Sequence, residues 1–74
     1  VKDQRLVDFG KRVREIRKDK GLSQEAFADL AGVDRSYMGQ IERGEQNLSL
    51  IKIYKIAEVL DVEIHKLFPS KNRS

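Results

Sequence analysis

Arg35, Ser36, Gln40 and Arg43 fall at spacings that one side of a helix would share. At about 100° of rotation per residue they spread over one face, with Gly39 in their midst, while Met38 and Ile41 point the other way. Guanidinium, amide and hydroxyl groups in such a row suit hydrogen bonding to base edges and to phosphates. Gly39 costs a helix up to about 1 kcal/mol relative to Ala, and close approach to a groove would account for that cost. A face built to bind protein would more often show an aromatic or aliphatic anchor. Catalysis finds no such constellation. His65 is the single histidine, and the serines sit at caps, in this segment or near the C-terminus. No base oriented by a third group accompanies a nucleophile. With no cysteine and only scattered carboxylates, no metal site is expected, and the chain reads as a non-enzyme without a cofactor.

Positioning this row requires a helix from Arg35 to Glu42, which Asp34 is placed to cap. Another helix precedes it, Gln24 to Ala31, with Ser23 as N-cap and Gly32 as the left-handed residue that ends it. Leu22 and Phe27 flank the first cap as a hydrophobic staple, and Val33 and Met38 flank the second. Phe27, Leu30, Ala31, Val33, Met38 and Ile41 are apolar where a core is expected, and Ala28 is small where the helices must come close. Two short helices joined by a three-residue turn make a helix-turn-helix, whose second helix commonly enters the DNA major groove.

The segment SQEAFADLAGVDRSYMGQIERG resembles the helix-turn-helix of the phage repressor and Cro (Xre-like) family. With the following NLSL it is most similar to the controller proteins of restriction–modification systems, and the likeness runs from about Phe9 to Phe68. The resemblance implies an all-α, compact five-helix bundle acting as a transcription regulator on double-stranded DNA. It places Arg35, Ser36 and Gln40 at base-reading positions, with Arg35 suited to guanine and Gln40 to adenine. Gln24 matches the residue that clamps a phosphate at a helix N-terminus. Tyr37, Arg43 and Asn47 are further backbone-contact candidates. An arginine at the place of Arg17 pairs, in this family, with the glutamate that closes the recognition helix, here Glu42. Activating relatives touch RNA polymerase through acids matching Glu25 and Asp29, which share an exposed face at i, i+4 spacing. One departure stands out: the loop after the recognition helix, often basic among controllers, reads Glu45–Gln46.

Around this centre, Leu6, Phe9, Val13 and Ile16 give residues 1–20 the stripe of an amphipathic first helix ended by Gly21. Its basic residues Lys11, Arg12, Arg14 and Lys18 read as a solvated face in preference to direct phosphate contacts. Ser49 caps a fourth helix, Leu50 to Leu60, with Leu50, Ile53, Tyr54, Ala57 and Leu60 on its core side. A fifth is expected from about Glu63 to Phe68, stopped by Pro69. Residues 1–68 are thus the expected domain and 69–74 a polar tail. A chain of 74 residues buries only about 60% of its unfolded surface, so a partner subunit would help. Ile51 and Val59 point off the core side, and Ile64, Leu67 and Phe68 add apolar surface. A two-fold contact through them would make a homodimer with recognition helices about 34 Å apart, fit for a palindromic operator.

Charge narrows the reading. The net +3 divides into +4 over residues 1–20 (eight basic, four acidic), −3 over 21–49 (two, five) and +2 over 50–74 (five, three). The helix-turn-helix is the acidic part, so phosphate attraction must come from a few placed groups. No apolar run approaches a membrane span and no signal peptide is evident, so a cytoplasmic location is expected. The alternative on the same fold is a non-catalytic protein-binding or antitoxin-like module.

Overall fold

The computed structural model describes residues 3–69. Among them run four α-helices, α1 (Gln4–Asp19), α2 (Gln24–Ala31), α3 (Arg35–Glu42) and α4 (Leu50–Leu60), then a 3-10 helix, Ile64–Leu67. No strand occurs among the described residues. The expected fifth α-helix is therefore a single tight turn. Its N-cap position holds Glu63, which makes no side-chain cap bond, and the run is too short before Pro69 to propagate α-helical bonding. The first helix starts later than expected, at Gln4, because Asp3 caps it by accepting from the Arg5 backbone N–H at 2.8 Å. The Arg5 side chain also grips that carboxylate and holds its pKa down at about 2. Apart from Pro69, the expected polar tail lies outside the described residues.

Local chemistry sets the remaining ends. Ser23, Asp34 and Ser49 cap α2, α3 and α4, each accepting from the backbone N–H three residues on. Gly32, at φ 73°, ends α2 in the left-handed region and swings the chain into α3. At the end of α3, Gly44 (φ +76°) completes a Schellman motif: Glu45 N–H bonds to Gln40 C=O at 2.8 Å and Gly44 N–H to Ile41 C=O at 3.1 Å.

The core gathers one stripe from each helix. Val13, Phe27, Met38, Ile41, Ile56, Leu60 and Leu67 are all but sealed from solvent, and the staple residues Leu22 and Val33 pack at its edge with Leu48 and Val62. Truncating one such side chain to Ala costs about 2–5 kcal/mol. Gly10 lets α1 cross the end of α3 closely, since a Cβ there would lie 2.5 Å from the carbonyl oxygens of Ile41 and Glu42. That crossing holds α3 on the bundle.

Several expected core positions differ. Leu30 is 57% exposed, Leu50 62% and Tyr54 50%, whereas Ile56 is fully buried. Lys52, Lys55 and Glu58 mark one side of α4 as polar, but the apolar arc opposite, from Ile56 round to Tyr54, is wider than its neighbours can cover. They cover the Ile56–Leu60 side, leaving Leu50, Ile51 and Tyr54 outward. Burial also removes some of the residues expected at a dimer contact. Leu67 is fully buried in its own core, and Val59 and Ile64 pack partly against it. Only Ile51 (77% exposed) and Phe68 (46%) remain as expected, and the Phe68 ring also rests on Phe9, with centroids 5.4 Å apart.

Candidate nucleic-acid interface

Three helix ends meet around one buried carboxylate. Glu42, the last residue of α3, accepts from Arg17 of α1 through Nε (2.7 Å) and Nη2 (3.1 Å). Arg17 spends its remaining Nη1 on the carbonyl of Leu22, at 2.9 Å, in the turn before α2. Gln24, the first residue of α2, donates its Nε2 to the same Glu42 carboxylate at 3.1 Å. Arg17 and Glu42 are each 7% exposed, and no buried side-chain nitrogen or oxygen among the described residues lacks a partner. Full satisfaction matters here, because a half-satisfied buried network costs more than an apolar one. The result is a rigid joint between α1, α2 and α3.

That joint aims Gln24. One amide hydrogen is used by Glu42; the second, together with the unpaired backbone N–H groups of the first turn of α2, can reach an anion. Beside it opens a groove lined by Arg14, Arg17, Gln24, Gly39, Glu42 and Arg43. Arg14 is exposed, as a residue of the solvated face of α1 is expected to be, yet it also lines this groove. Only the crossing of α1 over α3 brings it beside Gln24 and Arg43. Gly39 likewise differs from expectation. It is buried, and a Cβ there would lie 3.0 Å from Arg43 Nη1 and 3.5 Å from Gln24 Oε1. The missing side chain makes room for these two groups.

Arg35 and Ser36 lie exposed on the first turn of α3, behind the Asp34 cap, and their side chains make no hydrogen bond or ion pair among the described residues. Gln40 is half-buried one turn further on and accepts at Oε1 from Gln46 Nε2 at 2.8 Å. Arg43 is held by Glu45 through two bonds of 3.2 Å. Both side chains are substantially exposed, and such a pair is worth only about 0–1 kcal/mol, so a phosphate can replace it. Tyr37 is half-buried against the core, with Lys52 Nζ 5.7 Å from its ring centre. Asn47 is exposed in the loop, beside Asp3, Arg5 and Leu6 at the start of α1. Glu25 and Asp29 are exposed together on α2, next to Leu30. His65 lies 3.5 Å from Glu63 on the far 3-10 turn. No group of three or more metal-ligating side chains occurs among the described residues.

Capped α2 and α3 at a tight turn, with a polar row on the outer face of α3, define a helix-turn-helix module. A helix-turn-helix family model (HTH_3) matches residues 13–67, and the chain belongs to that family of Xre-like domains. Control protein C.MunI of Mycoplasma sp is 40% identical over 63 residues, covering 84% of this chain and 85% of that protein. The crystal structure of the restriction–modification controller C.AhdI from Aeromonas hydrophila superposes with a TM-score of 0.85 at 55% identity, covering 89% of this chain and all of that one. The transcriptional regulator SinR of Bacillus subtilis is 41% identical over 67 residues, and the chain spans 60% of its length. A SinR structure in complex with DNA matches with a TM-score of 0.74 at 43% identity, over 80% of this chain and 95% of that one. Its homologues are thus transcriptional regulators, restriction–modification controllers among them.

Proposed function

We propose that this chain is a sequence-specific DNA-binding transcription regulator of the restriction–modification controller type, not an enzyme, working in the cytoplasm on a palindromic operator. The observation that carries this reading is the outer face of α3. Arg35 and Ser36 stand uncommitted on a helix whose inner end is bolted to α1 through Glu42. In the major groove, Arg35 reads guanine and Ser36 an adjacent edge, while Gln24, Arg14 and Arg43 hold backbone phosphates, joined by Tyr37 and Asn47. The chain acts as a homodimer through Leu50, Ile51, Tyr54 and Phe68. The exposure of these four supports that contact, and a two-fold arrangement would set the recognition helices about 34 Å apart. Glu25 and Asp29, exposed beside Leu30, form the surface offered to RNA polymerase. Selection from a random duplex pool tests the core of this reading: a palindromic consensus is expected. Arg35→Ala should then cost about 1–3 kcal/mol at one base pair per half-site. An unchanged sequence preference in Arg35→Ala, titrated at fixed salt, would remove α3 as the reader.

A further inference from the structure

The Schellman turn at Gly44 folds the chain back so that Gln46, six residues after Gln40, lies against it. A glutamine that reads DNA alone can present either end of its amide, the carbonyl oxygen as acceptor or the nitrogen as a double donor. Here one of those ends is already engaged. Gln46 Nε2 donates to Gln40 Oε1 at 2.8 Å, so the oxygen is turned to the loop and the amide nitrogen is the end left for the groove. Backbone bonding holds the loop in place, since Glu45 N–H is fixed on the Gln40 carbonyl itself at 2.8 Å.

We propose that Gln46 is a specificity-determining positioning residue, which orients the Gln40 amide as a donor so that the pair selects guanine over adenine. Guanine shows two acceptors, O6 and N7, in the major groove. Adenine pairs its N7 acceptor with an N6 donor, which would face the Gln40 N–H groups unfavourably. The sequence alone pointed Gln40 at adenine, because an untethered glutamine can bind it with two hydrogen bonds. This inference rests on α3 being the DNA reader and names what one of its positions reads.

The test uses the selected operator with each of the four base pairs placed at the position where Gln40→Ala loses discrimination. Wild type should favour guanine there. Gln46→Ala should reduce the guanine-over-adenine preference about five-fold or more, and the double variant should behave as Gln40→Ala alone, since Gln46 acts only through Gln40. Gln46→Glu should reverse the preference toward adenine, because a carboxylate accepts an N–H from Gln40 and turns its oxygen outward. Both loop changes are at a partly exposed site, and matching thermal unfolding curves would show intact folds. Gln46→Ala weakening all four duplexes equally would make Gln46 a phosphate contact and overturn the inference. So would a wild-type preference for adenine at that position, or a palindrome in which Gln40→Ala shifts no position. A chain that enriches no sequence at all overturns the regulator reading, and this inference with it.

Discussion

Arg17→Met removes a guanidinium while keeping much of its aliphatic bulk, and it tests the joint that fixes α3 to α1. Three hydrogen bonds disappear, at 2.7, 3.1 and 2.9 Å. Glu42, 7% exposed, keeps the Gln24 amide as its remaining side-chain donor. Stripping one partner from a buried pair costs about 3–5 kcal/mol, because the survivor stays charged away from water. A domain of this size has only about 4–11 kcal/mol in total at 0.05–0.15 kcal/mol per residue. At roughly 4–8 °C per kcal/mol, the melting temperature should fall by about 12 °C or more. Arg17→Met/Glu42→Leu should recover most of that loss, since apolar side chains can replace a buried pair at little cost. Thermal and urea unfolding of all four members of the cycle measures the coupling. If Arg17→Met costs less than about 1 kcal/mol, or the cycle closes additively to within about 0.5 kcal/mol, the pair does not hold α1 to α3. The double variant also separates stability from binding. With its fold restored but no carboxylate to hold Gln24, it should bind all duplexes more weakly without changing preference.

Gly39→Ala should leave unfolding unchanged or raise stability by up to about 1 kcal/mol, as a helix gains from Ala. The new methyl presses on the Arg43 guanidinium at 3.0 Å and fills the space beside Gln24, so DNA affinity should drop several-fold and about evenly across sequences in titrations. Ile51→Glu places a charge on the most exposed of the large apolar side chains of α4, 77% accessible. Sedimentation should show a shift to monomer and operator binding should weaken; a monomeric wild type at high micromolar concentration would refute the dimer. Glu25→Gln/Asp29→Asn should keep operator affinity yet lose promoter stimulation in purified transcription. Stimulation that persists at full operator occupancy would leave the two acids as a solvated helix face.

The limits of α2, α3 and α4 were legible in the sequence because they are written in local chemistry. Ser23, Asp34 and Ser49 each satisfy a backbone donor three residues away, and Gly32 accepts a conformation that other side chains resist. The outward placement of Arg35 and Ser36 followed from helical rotation alone. The Arg17–Glu42 contact came from family resemblance, since no local rule joins residues 25 positions apart. What tertiary structure decided was which faces meet. The apolar arc of α4 is wide, so its pattern fixes the angles between side chains but not which part the neighbours cover; burial falls on Ile56 and leaves Leu50 and Tyr54 outward. Arg14 joined the Gln24 groove only because Gly10 lets α1 cross closely over α3. Gln46 meets Gln40 only after the chain reverses at Gly44. Short-range hydrogen bonds are set by sequence spacing, whereas these long-range contacts depend on helix crossings that no single segment encodes.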